Sequence, residues 1–184
     1  TDILTTNADL YGDEVSLIEV NPEIQERIDK AWKEYDLVEA MPKPIHRSEM
    51  TWREFEGLAN KLAHHFLSEG VTKGKKVAIL MMNCMGWLPI YFGILKTGAL
   101  AVPLNFRYSS EEIEYCVNLA EVDVLVFSNA FIGRVEEIAD RISKGRLLIY
   151  VGEGCPGFAD DYNSLSANCS SQSPMVALTD EDFA

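Results

Sequence analysis

The stretch Leu95-Lys96-Thr97-Gly98-Ala99-Leu100-Ala101-Val102-Pro103-Leu104-Asn105 decides the fold class of this chain. Gly98 can adopt the left-handed conformation that ends a helix, because it has no β-carbon to clash. Residues 99–104 form a short apolar run, which is typical of a strand that is covered on both faces. The stretch therefore predicts a helix, a one-glycine turn and a buried strand closed by proline.

The same order of helix and strand recurs on both sides of this stretch. Further helices are predicted after the capping boxes Thr51-x-x-Glu54 and Ser109-x-x-Glu112, and over residues 85–97 and 131–142. Further buried strands are predicted at 77–81, 124–127 and 147–151. Strands that alternate with helices at this rhythm form βαβ units. We therefore expect an α/β fold, a mostly parallel sheet with helices on both faces.

The remaining segments complete a single α/β subdomain over residues 1–184. Residues 11–20 predict a turn and an alternating strand. Segment 22–44 begins with a predicted helix over 22–35, opened by Asn21-Pro22. Its apolar positions share one face: Ile24, Ile28, Trp32 and Tyr35. Segment 152–174 is rich in Gly, Ser, Asp and Asn, which favours an irregular surface excursion.

Composition and charge narrow the class of protein. The chain has 184 residues, of which 47% are hydrophobic and 24% charged, as in ordinary globular proteins. No apolar run approaches the length of a membrane helix, and residues 1–9 do not resemble a signal peptide. The net charge of −13 argues against a nucleic-acid partner. The four cysteines form no C-x-x-C pair, so we expect reduced thiols and a cytoplasmic protein.

Several motifs that could carry chemistry have simpler interpretations. Residues 152–157 read G-x-G-x-x-G, but Pro156 removes a donor and no apolar helical pattern follows, so we predict a loop. The three histidines are His46, His64 and His65, the last two in a final helical turn that favours a cation. None has a carboxylate at ligand spacing, so no metal site is expected. The acidic run 180–182 indicates a solvated surface, and no catalytic residue is predicted.

Four segments, in this order, resemble the adenylate-forming synthetase superfamily, which includes acyl-CoA synthetases, aryl ligases and peptide-synthetase adenylation domains. They are residues 50–55, 75–83, 95–105, and 109–113 with 122–126. Each is weak alone, since it consists mostly of helix caps and buried strands. Together, in this order and at matching spacing, the four segments are specific to the superfamily. Segment 22–44 departs from the family's short link and leaves the subfamily open.

The resemblance implies a ligase that uses ATP, Mg²⁺ and CoA. A small-molecule carboxylic acid, a fatty acid in the leading interpretation, would attack the α-phosphate of ATP, and a thiol would then displace AMP. Segment 178–184 resembles the one that precedes the family's phosphate loop. The chain is thus interpreted as an N-terminal fragment that is inactive alone and binds no cofactor tightly. Two alternatives stay open: an adenylation domain that loads a carrier protein, and a non-catalytic module that binds a partner through the 22–35 helix.

One loop carries the predicted ligand contact. In acyl-CoA synthetases, the loop after the strand of the opening stretch can approach the nucleotide end of CoA, and here it contains Phe106 and Arg107. Arg107 offers donors suited to phosphate, and Phe106 offers a face for adenine. Alternatively, Arg107 pairs with Glu111 or Glu112 across the helix start. Arg134 is a second candidate for the same ligand.

Overall fold

The computed structural model describes residues 2–20, 47–142, 144–167, 169–179 and 182. The helices in these residues are α1 (Asp2–Tyr11), α2 (Trp52–Ser68), α3 (Trp87–Thr97), α4 (Ser110–Leu119), α5 (Ile132–Ile142) and α6 (Tyr162–Ala167). The strands are β1 (Val15–Val20), β2 (Arg47–Thr51), β3 (Lys76–Leu80), β4 (Leu100–Pro103), β5 (Val124–Ser128), β6 (Leu147–Val151) and β7 (Asp160–Asp161). A short 3₁₀ helix, Asn129–Phe131, precedes α5.

A five-stranded parallel sheet in the order β4-β3-β5-β6-β7 forms the centre of the fold. Helix α3 connects β3 to β4, and α4 then returns the chain past β3 to β5. The direction of the connections thus reverses between β3 and β5, and in such sheets the carboxyl ends of the strands at that point are the usual place for ligands. The predicted α/β class with a mostly parallel sheet is confirmed.

The two faces of the sheet carry separate apolar layers, because successive residues of a strand point to opposite sides. On β3, Val77 and Ile79 contact the layer of α2, α3 and α6, whereas Ala78 and Leu80 contact the layer of α4 and α5. The largest fully buried side chains of the helices in these layers are Phe66, Ile90, Ile94, Ile113, Ile138 and Ile142. Helices therefore cover both faces, as predicted.

The opening stretch folds as its sequence indicates. Helix α3 ends at Thr97, and Gly98 adopts the left-handed conformation with φ of 77° while its N–H donates to the Leu95 carbonyl at 3.0 Å. Strand β4 follows, one residue shorter at each end than the apolar run. It lies at an edge of the sheet, where Pro103 is tolerated because no ladder hydrogen bond is needed on its open side.

Both predicted capping boxes are present. The Thr51 hydroxyl accepts from the Glu54 N–H at 3.3 Å, and the Glu54 carboxylate accepts from the Thr51 N–H at 2.8 Å. Ser109 and Glu112 make the same reciprocal pair at the start of α4. These local hydrogen bonds satisfy free N–H groups of the first turn, and they explain why the helix starts are readable from sequence.

The N-terminal region adds two elements that the sequence analysis did not predict, helix α1 and strand β2. Helix α1 packs on α2 through the buried Leu4 and Ala8. The predicted turn and strand follow as β1, which pairs antiparallel with β2. The predicted helix over 22–35 lies outside the described residues, as does the rest of segment 22–44.

Segment 152–174 is more ordered than an irregular surface excursion, and that expectation is corrected for residues 160–167. These residues form β7 and α6. Aromatic contacts explain the difference: Phe158 stacks on Phe127 with ring centroids 6.0 Å apart, and Tyr162 is only 8% exposed. These two rings anchor a polar segment to opposite faces of the sheet.

Gly98 provides a test of how closely the chain packs at the turn of the opening stretch. A β-carbon there would lie 2.6 Å from Lys73 Cγ, whereas one at Gly70, which has φ of 78°, would meet nothing within 4 Å. We expect Gly70→Ala to lower the free energy of unfolding by about 1 kcal/mol through backbone strain alone. Gly98→Ala should cost about 1–3 kcal/mol more, because overpacking adds to the same strain. Urea unfolding measures both losses, and equal losses would contradict the close approach.

Candidate functional site

The loop after β4 forms a tight turn at the carboxyl end of the sheet. The N–H of Tyr108 donates to the Asn105 carbonyl at 3.1 Å, and the Asn105 side-chain oxygen accepts from the Arg107 N–H at 2.9 Å. Asparagine at the first turn position favours this geometry, because its amide mimics a backbone carbonyl. We call residues 105–108 the β4 turn. Its shape is therefore encoded locally.

Arg134 holds the β4 turn against the neighbouring helix. Its Nη1 donates to the carbonyls of Phe106 and Tyr108, at 2.8 and 3.0 Å. Its guanidinium carbon lies 5.6 Å from the centroid of the Phe131 ring. Arg134 belongs to α5, the helix that follows β5. It therefore links the β4 turn to that helix across the point where the direction of the connections reverses. Sequence analysis named Arg134 only as a second ligand candidate, whereas the structure shows a contact that positions the turn.

The two predicted ligand residues contact each other. The guanidinium carbon of Arg107 lies 5.4 Å from the centroid of the Phe106 ring. Phe106 is half-buried and packs on the layer of α4 and α5, whereas Arg107 is exposed. On this turn the guanidinium thus lies over the aromatic ring. This pair of groups can bind a phosphate through hydrogen bonds and a flat base through stacking.

The two carboxylates named as alternative partners of Arg107 both serve the start of α4. Glu112 accepts from the Ser109 N–H at 2.8 Å as part of the capping box. Hydrogen bonds from its own N–H and from the Ser109 hydroxyl lower the pKa of Glu111. Each carboxylate thus has donors in the first helical turn, and the alternative that Arg107 pairs with one of them stays open.

The G-x-G-x-x-G motif is a loop, as predicted. The Tyr150 hydroxyl donates to the Glu153 carbonyl at 2.8 Å, and the Ala159 N–H closes a turn on the Pro156 carbonyl at 3.1 Å. The next element is the short strand β7. A phosphate site of this type needs the N-terminus of a helix, which the motif does not precede.

The histidines of α2 differ in environment. His64 Nε2 lies 3.0 Å from the Gln172 carbonyl and donates to it. His65 is 6% exposed, and burial lowers its pKa, although Glu69 and Asp160 act in the opposite direction. Burial of His65 therefore opposes the favourable effect of the helix end on a cation at this position. His46 lies outside the described residues.

Within the residues that the structure describes, no group of three or more His, Cys, Asp or Glu side chains is placed to hold a metal ion. None of the helices there is long and apolar enough to cross a membrane. The acidic run 180–182 is described only at Asp182, which forms an ion pair with Lys73 at 2.8 Å.

The fold and the sequence patterns together identify the class of protein. An open parallel sheet with helices on both faces carries a structured turn at its carboxyl edge, where such folds bind ligands. The family model described as "AMP-binding enzyme" matches residues 30–184. The chain belongs to this family, and the resemblance to adenylate-forming synthetases is confirmed.

Known relatives share this family over part of their length. A medium/long-chain-fatty-acid–CoA/3-oxocholest-4-en-26-oate–CoA ligase of Mycobacterium marinum is 31% identical over 99 residues, 54% of this chain and 18% of the relative. A crotonobetaine/carnitine–CoA ligase of Salmonella paratyphi B is 35% identical over 103 residues, 55% of this chain and 20% of the relative. The matched regions thus span about a fifth of these relatives.

A solved structure supports the fold over almost the whole chain. It is the crystal structure of a long-chain-fatty-acid-CoA ligase from Archaeoglobus fulgidus, with a TM-score of 0.74 and 21% identity. The match covers 98% of this chain and 32% of the other. At this identity the comparison shows the architecture alone. The architecture described above is therefore that of one portion of a larger ligase structure.

Proposed function

We propose that this chain is the N-terminal portion of an AMP-forming carboxylic acid–CoA ligase, with a fatty acid as the leading substrate class. The acid would react with ATP to give an acyl-adenylate and pyrophosphate, and CoA would then displace AMP to give acyl-CoA. The family match over residues 30–184 carries this proposal. The names of the two relatives support CoA as the acceptor, rather than a carrier protein.

In this proposal the described residues bind and position, and the chemistry lies with the rest of the enzyme. ATP, Mg²⁺ and CoA would be held mainly by segments that follow the region matched here. Phe106 and Arg107 fit a contact with the nucleotide end of CoA, since they place a cation over an aromatic ring on one turn. Arg134 would position this turn through its two carbonyl contacts.

The alternative of a non-catalytic interaction module has no support among the described residues. The helix that would bind a partner, residues 22–35, lies outside them. A cytoplasmic location stays a prediction from the cysteine content. We therefore retain the ligase as the single proposed function.

The isolated chain should not activate any carboxylic acid. We expect it to fold and to give no ATP–pyrophosphate exchange with fatty or aryl acids, because the resemblance places the phosphate loop after segment 178–184. Exchange is measured with labelled pyrophosphate, with a full-length ligase of the same family as the positive control. Exchange above background would contradict the interpretation of the chain as an inactive portion.

The β4 turn should bind CoA weakly even in the isolated chain. We expect millimolar CoA to shift the backbone NMR signals of residues 105–108, and Arg107→Met to weaken that response roughly tenfold, since it removes charge-assisted hydrogen bonds. The matched control is Arg141→Met, which removes an exposed arginine bound to Glu114 at 2.8 Å. If the CoA-induced signal changes are unaffected by Arg107→Met, or are reduced equally by both substitutions, the CoA contact lies elsewhere.

A further inference from the structure

A buried ion pair joins two of the three helices that pack on one face of the sheet. Lys96 Nζ, on α3, lies 3.0 Å from Glu56 Oε1, on α2, and the two side chains are 3% and 11% exposed. Lys96 belongs to the opening stretch. A buried charge is costly unless it is paired and hydrogen-bonded, so this pair needs well-placed neighbours.

The neighbours come from two further parts of the chain. The Thr5 hydroxyl, on α1, donates to Glu56 Oε1 at 2.9 Å. Asn60 Nδ2 donates to the same oxygen at 3.2 Å and also to the Ser171 carbonyl at 2.9 Å. Because one amide nitrogen serves both acceptors, rotation of the Asn60 side chain is restricted. We call Thr5, Glu56, Asn60 and Lys96 the polar centre.

Ser171 lies in a stretch without helix or strand that crosses these helices. The carbonyl of the next residue, Gln172, accepts from His64, one turn after Asn60 on α2. Further along, Leu178 Cδ2 lies 3.0 Å from the position that a β-carbon on Gly98 would occupy. We call residues 171–179 the C-terminal segment. No regular ladder fixes its path, so the path depends on side-chain contacts. Those at its start come from α2, and at its end the Thr179 N–H donates to Asp182, which is paired with Lys73.

We propose that Asn60, oriented by the Glu56–Lys96 pair, is a positioning residue that sets the path of the C-terminal segment. Asn60 is 2% exposed and contacts the segment at its first residue, so it determines where the segment starts across α2. For its functional consequence the inference rests on the proposed function, in which the phosphate loop follows this segment. The polar centre would thereby align a catalytic loop that it does not touch.

The test measures the position of the segment separately from the stability of the fold. We expect Asn60→Leu to remove the nuclear Overhauser effect between the Leu178 methyl groups and the Gly98 α-protons, while the signals of β3 and β5 keep their shifts. Should Asn60→Leu fail to fold, Asn60→Ser serves instead, because serine is smaller and too short to span from Glu56 to Ser171. A Leu178 contact that persists in the folded variant would overturn the proposal.

Two control variants separate positioning from general destabilisation. Ile138→Val weakens the layer on the opposite face of the sheet. Asn118→Leu replaces an exposed asparagine on α4. Both should keep the Leu178–Gly98 contact, and loss of the contact in Ile138→Val would assign the effect to stability alone. Because the readout needs no ligase activity, failure of this inference is distinguishable from failure of the proposed function.

Discussion

The buried pair of Lys96 and Glu56 is the interaction on which the arrangement of this chain depends. A single carboxylate oxygen accepts from a lysine, a threonine and an asparagine that belong to three different helices. Desolvating two charges is tolerated only when the geometry supplies such partners. The helices α1, α2 and α3 must therefore keep one relative position, and the C-terminal segment is attached to the same point through Asn60.

The opening stretch connects this polar centre to the candidate ligand turn. Lys96 lies near the end of α3, and Gly98 then reverses the chain. Strand β4 follows along the side of the sheet and leads to the β4 turn at the carboxyl end. One segment of eleven residues thus contributes both to the polar centre and to the β4 turn. The spacing between them is set by the length of β4 and its register with β3.

Local signals made most of the fold predictable. The capping boxes at Thr51 and Ser109 and the Gly98 turn need only neighbouring residues, and the predicted elements that lie in the described residues agree with the structure to within about two residues. Helix α1 was missed because its burial depends on α2, far along the chain. Helix α6 and strand β7 were missed for the same reason, since Phe158 and Tyr162 are anchored by distant strands and helices.

Only the part of the candidate site that is determined by neighbouring residues could be predicted from the sequence. The β4 turn and its two side chains follow from the sequence around Asn105, but the contact of Arg134 with their carbonyls does not. The sequence did contain a signal for this contact. Arg134 lies in the first turn of α5, where the helix dipole disfavours a cation, so another interaction is needed to explain an arginine at this position. Lys96 received no interpretation of its own from the sequence, although it is the single charge in a strongly apolar helix. Its partner lies 40 residues away and is set by tertiary packing.

A double-mutant cycle on Lys96→Met and Glu56→Gln tests this account most directly. Lys96→Met leaves the Glu56 carboxylate buried without its counter-charge, and Glu56→Gln leaves the Lys96 ammonium buried beside a neutral amide. For each single variant we therefore expect a loss of about 3–5 kcal/mol in the free energy of unfolding. The double variant should lose clearly less than the sum, with a coupling of at least about 1 kcal/mol. Losses that simply add would mean that the two charges act independently, which contradicts the account.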